Sequence, residues 1–188
     1  YSKLIMNNEE VQDGIRKCMG SYDFYYQYKV NAAMNRFIGE TPLISSAYIF
    51  DNYGNKYDAY KESIRVLKIN RIEDAEWFNA VHEKGGAYII RLNSGGALQQ
   101  LNPHNNYISV IREINDLHTQ KPMGIILVNV PELVVRKACQ RITGSYDMGI
   151  TIMDDNNNIM MNLPNKAGID ISQFADVFSS NESGWFIK

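Results

Sequence analysis

The stretch Tyr107–Val130, YISVIREINDLHTQKPMGIILVNV, reads as two strands joined by a polar loop. Tyr107–Ile114 alternates: Ile108, Val110, Arg112 and Ile114 share one face, Ser109, Ile111 and Glu113 the other. Asn115–Pro122 is polar and ends in proline, as a hairpin connection should. Met123–Val130 is almost wholly apolar, which predicts a central strand covered on both faces. Pro131 and Glu132 stop it, and Leu133, Val134, Ala138 and Ile142 then recur at helical spacing. A hairpin running into an exit helix is therefore the scaffold.

Upstream, Lys3–Met19 reads as one helix, with Leu4, Val11, Ile15 and Cys18 near one stripe. Gly20-Ser21 interrupts it, Ser21 is a candidate N-cap, and a long helix runs from about Tyr22 to Ile38. Its Tyr22, Tyr25 and Tyr26 either cover a sheet or stack a sugar ring; core filling is the commoner use of such rings. Pro42 marks a boundary, and Leu43–Asp51 and Lys56–Tyr60 form strands about a turn at Asp51-Asn52-Tyr53-Gly54-Asn55. Ile72–Glu83 reads as helix, Ala87–Leu92 as strand, and Asn93–Asn106 as a long Gly-, Asn- and Gln-rich loop. Alternation and short polar turns suit hairpins, so the fold class is α+β. A five-stranded antiparallel sheet is expected from Leu43 to Val130, with the long N-terminal helix packed along it.

After Gly144 the strand–turn–strand pattern returns. Ile49-Phe50-Asp51-Asn52-Tyr53-Gly54-Asn55 is matched by Ile152-Met153-Asp154-Asp155-Asn156-Asn157-Asn158, with a returning strand at Ile159–Leu163. A short helix at Ile171–Phe178 and a strand from Gly184 complete the reading. The organisation expected is N-terminal helices over residues 1–40, a sheet lobe over 41–143 and a partial second lobe over 144–188.

Of the 188 residues, 45% are hydrophobic and 21% charged, ordinary for a globular protein. The net charge of −2 and pI near 5.9 argue against a nucleic-acid partner. No apolar run is long enough to span a membrane. The chain begins at Tyr1 and ends on Trp185-Phe186-Ile187-Lys188, which gives the expectation of a piece excised from a longer protein. Cys18 and Cys139 fit either buried helical thiols or a disulfide.

Catalytic chemistry is not apparent. His82, His104 and His118 sit in unlike settings, no pair has metal-ligand spacing, and no phosphate loop occurs. Asp154–Asn158 offers oxygen ligands, but a calcium loop counted from Asp154 needs Gly and Glu where Ile159 and Asn165 stand, so a hairpin turn is expected. Neither a cofactor nor a metal is called for.

The order Ile108-Ser109, Arg112, Ile114, then Gly124-Ile125, Val128-Asn129-Val130 and Glu132, resembles the extracytoplasmic sensor region of the YesM-like bacterial sensor histidine kinases. The resemblance extends to Ile44–Gly54 and Trp77-Phe78, more weakly to Asp154–Asn158, and covers roughly Tyr22 to Ile159. It implies a double Cache (PAS-like) domain whose second, membrane-proximal lobe is incomplete here. It also implies a two-component receptor anchored in the cell membrane, this part outside the cytoplasm. The parent would be a protein-histidine kinase, and this fragment no enzyme. A chemotaxis receptor and a non-binding dimerisation scaffold are the alternatives.

In such a lobe a small molecule binds between sheet and cover. Trp77 and Phe78 would form an aromatic wall, with Tyr88 and Arg91 from the next strand and Arg112 from the core strand. An inward arginine requires an anionic partner, from ligand or protein. Tyr88 and Arg91 are three apart, so a bulge or rim position is needed for both to contribute. Amino-acid-sensing relatives carry an Arg two positions before the aromatic pair, and Ala75 stands there, which removes that contact for an amino-acid carboxylate. A sugar, another solute or a solute-binding protein remain as partners, with a homodimer one possible assembly.

Overall fold

Residues 1–21, 23–61, 67–99, 105–143, 148–154 and 156–164 are described by a computed structural model. The chain divides into two units, Tyr1–Val135 and Arg136–Lys188.

In the first unit, strands β1 (Ser46–Asp51), β2 (Lys56–Tyr60), β3 (Tyr88–Leu92), β4 (Tyr107–Asn115) and β5 (Pro122–Pro131) form one sheet in the order β2-β1-β5-β4-β3. Every pairing is antiparallel. This is the expected PAS-like sheet, and the apolar run Met123–Val130 lies in its middle strand. β5 sits between β1 and β4, and a core packs on each of its faces, as its missing polar register requires. Gly124 is needed where β5 meets β1: a Cβ there would lie 2.3 Å from the Phe50 carbonyl oxygen.

Each sheet face carries its own core. On one, Ala47, Ile49, Tyr57, Ile114, Ile126 and Val128 pack under helices α1 (Ser2–Met6), α2 (Glu9–Cys18) and α3 (Phe24–Glu40). On the other, Tyr48, Phe50, Ile111, Ile125 and Leu127 pack against Ile72, Trp77, Val81 and Leu98.

The expected first helix is two. Asn7-Asn8 breaks it, because the Asn8 side chain caps α2 by accepting from the Val11 amide at 3.2 Å. Asp23, rather than Ser21, caps α3 by accepting from the Tyr25 amide. α2 and α3 cross closely at Gly14, where a Cβ would strike Val30 Cγ2 at 2.3 Å. The aromatic start of α3 covers the sheet only in part: Tyr26 packs against the core, Tyr25 is exposed as are Phe24 and Tyr28, and Tyr22 lies outside the described residues. The same helix closes the outer edge of β2. Gln27 Nε2 donates to the Lys56 carbonyl at 3.0 Å, and the Asp58 amide donates to Asn31 Oδ1 at 3.0 Å.

The helix expected over Ile72–Glu83 is a 3₁₀ turn (Ile72–Asp74) followed by α4 (Phe78–Glu83), with Trp77 at the α4 N-cap. Ala75 adopts extended backbone between them, which frees Trp77 to turn into the core. Within 93–106 a tight turn at Asn93–Gly96 replaces part of the expected loop.

Helix α5 (Glu132–Thr143) follows β5, and the second unit begins within it. There β6 (Ile150–Met153) and β7 (Ile159–Leu163) form an antiparallel hairpin. Its turn copies that of β1–β2. Asp51 accepts from the amides of Tyr53 and Asn55 and from Asn55 Nδ2; Asp154 accepts from the amides of Asn156 and Asn158 and from Asn158 Nδ2. Gly54 and Asn157 take the equivalent left-handed position. The helix expected at 171–178 and the strand expected from 184 lie outside the described residues. Cys18 and Cys139 are free thiols.

Candidate functional site

Directly paired residues on neighbouring strands share a sheet face, so the register arranges the Trp77-covered face in rows. Its middle row is largely apolar: Asp58, Tyr48, Leu127, Ile111 and Ile89. One step along lies a polar row, Tyr60–Ser46–Asn129–Ser109–Arg91, that crosses all five strands. Four of its members are buried: Ser46 at 3% exposure, Asn129 at 1%, Ser109 at 0% and Arg91 at 4%.

A hydrogen-bond chain links this row to the cover. Asn129 Nδ2 donates to Ser46 Oγ at 3.0 Å, and Ser109 Oγ donates to Asn129 Oδ1 at 2.6 Å. The Ser94 amide donates to Ser109 Oγ at 2.8 Å. Trp77 Nε1 in turn donates to the Ser94 carbonyl at 2.8 Å. Asn129 is therefore the hub: its amide uses both ends between two strand hydroxyls. Arg91 donates from Nη1 to the Ile90 carbonyl at 2.8 Å.

The turn that receives Trp77 is conformationally unusual. Asn93, Ser94, Gly95 and Gly96 all have positive φ, of 50°, 57°, 57° and 79°. Two non-glycine residues in succession there store strain, which the surroundings must hold in place. Asn93 Oδ1 accepts from the Tyr107 amide, Ser94 Oγ accepts from the Leu98 amide, and the Trp77 bond completes the clamp. Gly95 has no substitute at this contact, since a Cβ would lie 2.6 Å from Trp77 Cδ1.

Toward the opposite end of the same face, α4 is tied to the sheet by His82 Nδ1 against Glu113 Oε2. Phe78 packs edge-on against His82, ring centroids 4.6 Å apart.

The five candidate ligand residues do not line one cavity. Trp77, Phe78 and Arg91 belong to the covered face. Tyr88 and Arg112 are cross-strand partners on the other face, that of α1–α3. The β3–β4 register runs without a bulge from Tyr88 to Leu92, so ordinary alternation separates Tyr88 from Arg91. Tyr88 is exposed. Arg112 is nearly buried, and its guanidinium donates to the Gly86 carbonyl and pairs with no carboxylate among the described residues. The anionic partner expected for it is replaced by a backbone carbonyl. The polar row itself was missed as a site. Its signal was Asn129, the only polar side chain in GIILVNV, opposite Ser109 in an otherwise apolar stretch of β4.

No protein-family model matches the chain, and no curated protein sequence matches it. Solved structures do. The ligand-binding domain of the Pseudomonas fluorescens chemoreceptor CtaA, in complex with L-isoleucine, is similar with a TM-score of 0.50 at 12% identity, covering 89% of this chain and 62% of that one. The sensory domain of the Campylobacter jejuni chemoreceptor Tlp3, with isoleucine bound, is similar with a TM-score of 0.50 at 10% identity, covering 97% and 69%. This chain thus spans about three fifths of the first of these. At such identity the likeness establishes the fold, that of PAS-like (Cache) sensor domains.

Proposed function

We propose that the chain is the extracytoplasmic ligand-sensing part of a membrane receptor that takes a small polar solute on the Trp77-covered face of its sheet. The observation that carries this reading is the polar row. Burying four polar side chains, one a guanidinium, in the core of a sheet face is costly unless each is satisfied. A fold that only needed stability would fill the row with apolar groups, as Tyr48, Leu127, Ile111 and Ile89 fill the middle of the next row. Among the described residues the Ser46 hydroxyl proton and the second Asn129 amide hydrogen have no acceptor, which leaves donors suited to a hydroxyl, carbonyl or carboxylate oxygen, and Arg91 adds charge. Ala75, small and buried, stands where amino-acid-sensing relatives place an arginine, which favours a ligand other than a free amino acid.

The receptor is a YesM-like histidine kinase in this reading, with the phosphorylated His and the ATP site in other parts of the parent. The copied Asp51 and Asp154 turns support a duplicated PAS-like lobe, and Cache-fold chemoreceptors keep the chemotaxis alternative in view. Two measurements test the proposal. Thermal-shift screening against sugars, organic acids and amino acids should give at least one solute that raises Tm, because a ligand selective for the folded state stabilises it. The rise should be lost in Arg91→Ala or Asn129→Ala; no rise with any solute would favour the scaffold. For the output, the full-length receptor in membranes should take label from γ-labelled ATP as an acid-labile phosphohistidine. Glutamate methylation without phosphorylation would assign it to chemotaxis.

A further inference from the structure

A concave surface lies on the first unit, away from the polar row. The tip of the β1–β2 hairpin and the segment before the 3₁₀ turn enclose a groove of about 360 Å³, within the ~300–1,000 Å³ usual for small-molecule sites. It opens at Phe50 and Lys56, four residues along the strands from Ser46 and Tyr60 and hence ~13 Å from the polar row.

The chemistry of its lining is specific. The two cations are already compensated: Lys56 pairs with Asp58 at 3.0 Å, and Arg71 with Glu73 at 3.2 Å. Asp51 is saturated by the turn amides and by the hydroxyl of Tyr57. No uncompensated charge is left to recognise an ion. What remains open is neutral. The Tyr53 ring is 56% exposed at the groove. The Asn70 side chain makes no hydrogen bond among the described residues, and neither the Asn52 nor the Asn55 amide oxygen accepts one there; the amide nitrogens of those two are held by Pro122 and Asp51. Fixed planar amides beside an exposed aromatic ring match a ligand with hydroxyls on its rim and an apolar C–H face.

We propose that this groove binds a neutral saccharide of one or two rings, stacked on Tyr53 and hydrogen-bonded by Asn52, Asn55 and Asn70. The site is independent of the solute site on the covered face. Amide-detected NMR titration of the ¹⁵N-labelled chain with maltose, cellobiose, xylobiose, lactose and mannobiose tests it. At least one disaccharide should shift resonances of 50–56 and 67–73. Tyr53→Ala should weaken that binding tenfold or more and Asn70→Ala severalfold; both residues lie outside the two cores, so both variants should fold. No shift at the groove with any of the five, or unchanged affinity in Tyr53→Ala, overturns the inference. Shifts confined to Ser46, Ser109 and Asn129 also overturn it, while leaving the covered-face reading standing.

Discussion

Trp77 and the glycine opposite it show how single residues set the covered face. The indole is buried at 1% exposure and its one donor is used on the Ser94 carbonyl, so its position depends on a turn that only a left-handed backbone can make. Gly95→Ala adds a Cβ 2.6 Å from the indole and does so at φ +57°. We expect it to destabilise the chain by ~1–3 kcal/mol, the usual cost of overpacking, and to shift Trp77 fluorescence to the red as the ring is displaced. An unshifted spectrum with parental Tm would show that the clamp is looser than its geometry. On the other face Ile126, fully buried at the centre of β5, is the plainest packing residue. Ile126→Ala should cost ~2–5 kcal/mol in urea unfolding, and a loss under half of the lower figure would misplace the central strand. Of these residues, Ile126 was legible from the sequence because a run without polar register must be central. Gly95 was not, because its requirement arises from a contact 18 residues away.

Hairpins are the elements that sequence reading recovered best, since Lys56–Tyr60 and Ile159–Leu163 are local and their turns are chemically marked by Asp, Asn and Gly. Helix ends were read less well. Asn8 and Asp23 cap α2 and α3, although neighbouring Asn7 and Ser21 carry side chains able to do the same. The ligand-face assignment failed for Tyr88 and Arg112 for a related reason: alternation tells which residues share a face but not which face is covered by what. The β1–β2 hairpin also carries a pH signature. Burial, a hydrogen bond with Cys18 and the charge of Asp51 together push the Tyr57 hydroxyl well above the ordinary tyrosine range. The folded state therefore holds this proton more tightly than the unfolded state. The stability it contributes is complete below the unfolded value of ~10 and is lost as pH rises above it, by at most ~1.4 kcal/mol per pH unit. Urea unfolding between pH 8 and 11 should show this decline, and Tyr57→Phe should flatten it while lowering the plateau by ~0.5–1.5 kcal/mol for the lost bond to Asp51. An equally steep decline in the variant would place the alkaline sensitivity elsewhere.

At the scale of the whole molecule, the two cores decide what can stand alone. Among the described residues both clusters are built between Ile5 and Val128, and the sheet they sandwich ends at Pro131. The long first-to-last pairing of β1 with β5 closes the first unit within its own sequence, and α3 protects the β2 edge through Gln27 and Asn31. Among the described residues, neither core takes a side chain from Arg136–Lys188. A fragment ending at Thr143, which keeps α5 whole, should therefore fold with the near-UV dichroism of the parent and melt cooperatively. A chain cut at Gln120, which lacks β5 and so the strand between β1 and β4, should not fold. The longer fragment should also keep any solute-induced rise in Tm that the full chain shows, because the polar row, the Trp77 clamp and the groove all precede residue 132. Circular dichroism melts of the two fragments decide the matter. An unfolded 1–143 fragment would mean that the second unit supplies stability that neither core reveals.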